Sequence, residues 1–151
     1  MDIEQLIASR TTDGPDTDVI TCDIATPVRE VVGLLATKRI GAIPVLRDGA
    51  VAGICSERDI VYRLAENADE GRGAFLDGPV EAIMTAPAIT VTMQTSTLEA
   101  LALMSRRRIR HLPVLDNGAL AGFISIGDIV KARIDEVQHE AEALRDYIQT
   151  A

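Results

Sequence analysis

The chain has 151 residues, 47% of them hydrophobic and 25% charged, with a formal net charge of −8. That length supports one sizeable core or two small ones sharing an interface, and no apolar run approaches the roughly 18 to 20 residues that span a bilayer. The acidic balance disfavours duplex DNA, where phosphate neutralisation carries much of the affinity, and disfavours an anionic membrane surface.

Met1-Asp2-Ile3-Glu4 is acidic and has no basic stretch followed by an apolar one, so no signal peptide is expected and the cytoplasm is the expected compartment. Ile3, Leu6 and Ile7 predict a short helix within an N-terminal arm, residues 1–15. Val19-Ile20-Thr21-Cys22 reads as a β-strand. Thr26-Pro27 then offers a capping residue before a proline at the first helical position. Val28, Val31, Val32 and Leu35 follow the i, i+3, i+4, i+7 spacing of an amphipathic helix. A strand over 42–46, a turn at Arg47-Asp48-Gly49 and a second strand over 51–55 come next. Ser56 opens another helix, with Ile60, Val61 and Leu64 on one face. Residues 67–78 are polar and Gly-rich and read as a linker.

The pattern then recurs. A strand is expected over Ile89-Thr90-Val91-Thr92, and Ser96-Thr97-Leu98-Glu99 has capping-box spacing. Asp116-Asn117-Gly118 holds the Asn-Gly pair favoured in hairpins. Displacing the chain by 69 positions lays residues 44–61 on 113–130 with 11 identities in 18 and no gap. The register extends upstream through Ile20-Thr21 on Ile89-Thr90 and Arg39-Ile40 on Arg108-Ile109. The chain is therefore two β-α-β-β-α units, at 16–66 and 79–135, of the α+β class. A C-terminal helix over 136–151 follows. Val130, Ile134, Val137, Ala141, Leu144 and Ile148 make a heptad-like stripe, which packs either on its own domain or on a second copy.

Cys22 and Cys55 lie 33 positions apart among small and apolar residues, with no Cys-x-x-Cys and no clustered histidine, so reduced packing cysteines are expected and no metal site. Neither a nucleophile signature nor a P-loop nor a His-Glu-x-x-His is present, so no catalytic residue is assigned. Arg106-Arg107-Arg108 with Arg110 forms a basic island that complements a helix C-terminus. Two Phe, two Tyr and no Trp leave little for stacking on single-stranded nucleic acid.

The strings Ile40-Gly41-Ala42-Ile43-Pro44-Val45, Ser56-Glu57-Arg58-Asp59-Ile60 and Arg108-Ile109-Arg110-His111-Leu112-Pro113-Val114 resemble the stand-alone bacterial members of the CBS-domain family. The tandem arrangement looks like a CBS pair, or Bateman module. The resemblance implies two repeats packed about a pseudo-twofold axis, two clefts between them, and a homodimer. It implies regulatory sensing without catalysis. The ligands it implies are AMP, ADP, ATP, NAD(H) or S-adenosylmethionine, of which AMP, ATP and NAD(H) are favoured.

Each Ser-x-x-Asp also has a purely structural explanation, because Ser56 and Ser125 suit N-caps and Asp59 and Asp128 suit the positive end of a helix dipole. By motif position, Asp59 and Asp128 are ribose ligands, and Ser56 and Ser125 lie near the phosphates. Ile20-Thr21 and Ile89-Thr90 match adenine-edge strands. Ile40, Gly41 and Ala42 match the stretch against base or sugar, with simple hairpin packing as the alternative. Repeat 2 carries Arg110-His111 where repeat 1 has Gly41-Ala42, and basic groups there face phosphates in the family. The preferred cleft thus combines Ile20, Thr21, Ile40, Gly41 and Ala42 with Arg110, His111, Ser125 and Asp128. The weaker cleft holds Ser56, Asp59, Ile89, Thr90 and Ile109, with Arg58 as its candidate cation. The functional expectation is a sensor module that binds an adenine nucleotide and acts on an effector protein, without nucleic acid or membrane. The alternative is a constitutive assembly module with no ligand.

Overall fold

The computed structural model describes residues 1–10, 19–66, 71 and 73–150. The end of the N-terminal arm, the first residues of repeat 1, part of the expected linker and Ala151 lie outside the described residues. Helix α1 (Ile3–Arg10) leads. The first unit contains β1 (Cys22–Asp23), α2 (Val28–Lys38), β2 (Ala42–Arg47), β3 (Ala50–Ser56) and α3 (Glu57–Glu66). Two single-turn 3-10 helices follow, Ala74–Asp77 and Val80–Ala82. The second unit contains β4 (Val91–Thr92), α4 (Thr97–Arg107), β5 (His111–Asp116), β6 (Ala119–Ser125) and α5 (Ile126–Thr150).

Each unit builds one three-stranded sheet, ordered β1-β2-β3 and β4-β5-β6. The first pairing is parallel and the second antiparallel in both. The sequence repeat is therefore a repeat of register. Cys22 pairs with Val45 as Val91 pairs with Val114, and the antiparallel ladders shift at Val45/Leu46 and at Val114/Leu115. Both hairpins close through two residues of positive φ, Asp48 (50°) with Gly49 (81°) and Asn117 (51°) with Gly118 (82°). That left-handed pair is what a type I′ turn needs, and Asn or Asp followed by Gly tolerates it best.

Two local expectations are corrected. The strands foreseen at 19–22 and 89–92 pair only at Cys22–Asp23 and Val91–Thr92. In the first unit the residues ahead of the strand, Val19 and Ile20, turn to the space between the units instead of pairing. Thr26 does not cap α2. Its hydroxyl accepts from the Asp23 N–H at 3.1 Å, and Pro27 takes the cap position with no side-chain bond. The Val28 N–H is satisfied from elsewhere, by the Gly78 carbonyl at 3.0 Å. The capping box at Ser96 and Glu99 forms as expected.

That Gly78 bond belongs to a crossed construction. At α4 the equivalent Thr97 N–H donates to the Met1 carbonyl at 3.0 Å. Each unit is completed by the segment that precedes the other. Ile3 and Leu6 of α1 are buried in the core of the second unit with Met104, Leu112, Val114, Ile124 and Ile129. Val80 and Ile83 are buried in the core of the first with Val28, Val31, Ile43, Val45 and Cys55, and Phe75, Leu76 and Met84 pack against it. Phe75 and Leu76 of the expected linker thus pack against the first core. Gly53 marks the close approach: a Cβ there would stand 2.7 Å from the Thr85 carbonyl oxygen and 2.8 Å from Met84 Sδ.

Helix α5 buries Ile129 and Ala132 near its start. Beyond them the heptad positions stand open, with Val137, Leu144 and Ile148 at 58, 61 and 66% exposure. Packing on its own domain therefore does not account for the stripe. No helix among the described residues is long and apolar enough to cross a membrane.

Candidate functional site

Strands β3 and β6 meet where the two units face each other, and a cavity of about 450 Å³ opens beside β6. That volume lies in the range of small-molecule sites. The first unit supplies Val19, Ile20, Ile40, Gly41 and Ala42, with Lys38 and Arg39 from the end of α2. The second supplies His111, Ser125 and Asp128, with Ala121, Gly122 and Phe123 of β6. Ile7 and Arg10 of α1 complete the wall.

Local structure sets each polar group. Arg39 is the left-handed C-cap of α2 (φ 54°), which ends that helix at the cavity wall. Gly41 makes a close approach: a Cβ on it would lie 3.2 Å from His111 Cε1, so the ring would have to give by a few tenths of an ångström. The His111 ring stacks on Phe123 with centroids 5.4 Å apart and planes at 23°. Burial lowers the His111 pKa below its ordinary value. Asp128 and Glu57 pull it up and Arg110 pushes it down, and burial is the larger effect. At neutral pH the imidazole is therefore a neutral hydrogen-bonding group.

The two Ser-x-x-Asp motifs form the same reciprocal cap. The Ser125 N–H donates to Asp128 Oδ2 at 2.8 Å, and the Asp128 N–H donates to Ser125 Oγ at 3.1 Å. The Ser56 N–H donates to Asp59 Oδ2 at 2.8 Å, and the Asp59 N–H to Ser56 Oγ at 3.3 Å. The structural explanation thus holds for one carboxylate oxygen of each. The second oxygen separates them. Asp59 Oδ1 accepts from the Thr85 hydroxyl at 2.8 Å. Asp128 has Arg10 Nη1 3.5 Å from Oδ2, and its Oδ1 has no partner among the described residues.

Seven residues of the preferred cleft therefore converge: Ile20, Ile40, Gly41 and Ala42 with His111, Ser125 and Asp128. Thr21 and Arg110 are not in the lining. Arg110 is exposed in the bend before β5, and its carbonyl accepts from the Ile126 N–H at 2.8 Å. Among the described residues the cations at the cavity are instead Lys38, Arg39 and Arg10. Lys38-Arg39 was legible in sequence only as helix-end charge, and Arg10 gave no signal because its position depends on α1 crossing to the far unit. Of the second cleft, Asp59 is latched to Thr85 and Arg58 Nη1 donates to the Arg108 carbonyl at 3.1 Å. Ile89 and Ile109 pack against the second core, and Thr90 is half-buried. Ser56 also donates its hydroxyl to Asp59 Oδ2 at 3.0 Å. Cys22 and Cys55 are free and buried, their thiols pushed up to about 11 and about 12 chiefly by desolvation.

Comparison with known proteins matches a family model, the CBS domain, to residues 15–66 and 80–135. The CBS domain-containing protein CBSX3, mitochondrial, of Arabidopsis thaliana is 35% identical over 133 residues, 85% of this chain. The aligned part is 63% of that protein's length. A solved CBS-domain protein from Burkholderia ambifaria superposes with a TM-score of 0.76 at 36% identity, covering 89% of this chain and 95% of that one. The CBS domain protein PAE2072 from Pyrobaculum aerophilum, complexed with AMP, superposes with a TM-score of 0.68 at 29% identity, covering 85% and 89%.

Proposed function

Because the chain belongs to the CBS-domain family, we propose that it is a non-catalytic sensor module whose inter-repeat cavity binds an adenine nucleotide: AMP, ADP, ATP or NAD(H). The observation that carries this reading is Asp128. Its carboxylate is fixed by the Ser125 cap while Oδ1 is unclaimed among the described residues, at the wall of a 450 Å³ cavity. A fixed carboxylate with an open oxygen accepts hydrogen bonds from the two ribose hydroxyls. Ile20 and Ile40 offer apolar surface to the base, and Gly41 keeps the backbone close. His111, Ser125, Lys38 and Arg39 offer donors to phosphate. The AMP complex of the Pyrobaculum protein supports this ligand class. Binding would join groups from both units and so bias the geometry presented to an effector protein, in the cytoplasm and away from membrane and nucleic acid.

The direct test is thermal unfolding with and without each nucleotide. Ligand at 100 times its dissociation constant stabilises the bound form by about 2.7 kcal/mol, a rise of roughly 5–10 °C for a domain of this size. A melting temperature unmoved by every adenosyl compound at millimolar concentration would favour the ligand-free assembly module.

The open heptad stripe supports a homodimer in the same reading. Five apolar positions, Ile134, Val137, Leu144, Tyr147 and Ile148, are more than half exposed on α5, and a second copy would cover them. Light scattering should then give twice the chain mass of 16.2 kDa. Replacing Val137 and Leu144 by Glu should return the mass toward one chain without lowering the helix content. A parent chain that is monomeric at every concentration would overturn the dimer.

A further inference from the structure

Helix α1 lies outside both repeats, yet its last residue reaches the cavity. Ile3 and Leu6 anchor the helix in the second core. The Ile7 side chain lies against Gly122, so that a Cβ on that glycine would be 2.7 Å from Ile7 Cδ1. Arg10 follows one turn later. Its Nη1 donates to the Phe123 carbonyl at 3.2 Å and stands 3.5 Å from Asp128 Oδ2. Both contacts use Nη1, which leaves the Nε and Nη2 N–H groups without a partner among the described residues. The Arg10 side chain is 43% exposed and, among the described residues, is one of three cations lining a cavity with one carboxylate, Asp128.

Resting on the nucleotide reading above, we propose that Arg10 is a specificity residue of the cavity: its Nε and Nη2 N–H groups bind the phosphate of the ligand, so the site takes anionic nucleotides and rejects adenosyl compounds without phosphate. The charges carry the argument. Among the described lining residues, Asp128 contributes −1 and is already neighboured by Arg10, while Lys38 and Arg39 add two further positive charges. A polyphosphate completes this set, and guanidinium forms forked, charge-assisted bonds to its oxygens. Adenosine gains nothing from the cations, and the sulfonium of S-adenosylmethionine meets like charge. Arg10 need not leave Asp128 to act, because the contact is to Oδ2 whereas Oδ1 is the oxygen open to ribose.

The test is calorimetric titration of the full chain and of Arg10→Gln with ATP, adenosine and S-adenosylmethionine. The parent should bind ATP at least tenfold tighter than either phosphate-free compound. Arg10→Gln should lose about ten- to a hundredfold in ATP affinity, as expected when a charge-assisted bond is removed, while adenosine affinity holds or rises because Asp128 is released from its cation. Parallel losses for ATP and adenosine would mean that Arg10 only docks α1, and would overturn the proposal. Tighter binding of S-adenosylmethionine than of ATP by the parent would also overturn it, while leaving the cavity as an adenosyl site. Absence of any adenosyl binding would instead refute the underlying nucleotide reading. Arg10→Lys, which keeps the charge without the fork, should recover part of the ATP affinity, and a variant as weak as Arg10→Gln would contradict the electrostatic part.

Discussion

Asp128→Ala should lower nucleotide affinity by about ten- to a hundredfold. The carboxylate is half-buried and held in place by the Ser125 N–H at 2.8 Å, so its open oxygen meets a ribose without reorganisation. Hydrogen bonds to a charged group are worth roughly 1.5–3 kcal/mol in such a site. The substitution also removes the partner of Arg10 and half of the Ser125 cap, so some stability falls with it, by about 1 kcal/mol for a lost cap. Deoxyribose ligands separate the two effects, because they should already bind poorly to the parent protein. Asp59→Ala should behave in the opposite way. It frees the Thr85 hydroxyl and loosens the segment over β3, costing stability while leaving affinity nearly unchanged. Titration of both variants with AMP and 2′-deoxy-AMP, beside their melting curves, distinguishes the roles. Loss of binding in Asp59→Ala with retention in Asp128→Ala would place the site in the other cleft.

Ile3→Ala should destabilise the fold by about 2–5 kcal/mol, the usual cost of a large-to-small change in a packed core. A residue three positions from a chain start commonly frays, but Ile3 is fully buried among Leu112, Val114 and Ile124. Its N–H donates to the Thr95 carbonyl at 2.9 Å, and the neighbouring Met1 carbonyl receives the first N–H of α4. Chemical denaturation of Ile3→Ala beside Leu112→Ala should give losses of similar size. A loss below about 0.5 kcal/mol, the scale of surface changes, would mean that α1 is not part of the second core.

The sequence repeat carried most of the fold. Eleven identities in 18 residues include the glycine of each hairpin turn, residues of the paired strands and the Ser-x-x-Asp caps, because each of those features depends on neighbours close in the chain. What it did not carry is the exchange of segments between units. Val80 and Ile83 fill the first core, and Ile3 and Leu6 fill the second, yet nothing local distinguishes an apolar residue that packs nearby from one that packs across. The same distance hid Arg10 from the site. Thr26 misled for a related reason: its spacing fits a cap, but the turn at Asp23 takes the hydroxyl and Gly78 supplies the carbonyl from afar. The stripe on α5 was visible as a period, and the exposure of Val137, Leu144 and Ile148 is what turns it outward.

A crystal structure of the full chain grown with millimolar AMP tests the central claim most directly. One nucleotide per chain is expected between the units, with its ribose hydroxyls on Asp128 Oδ1 and its phosphate toward Arg10 and His111. A nucleotide seated on Asp59, or a cavity beside Asp128 that stays empty at that concentration, would contradict it.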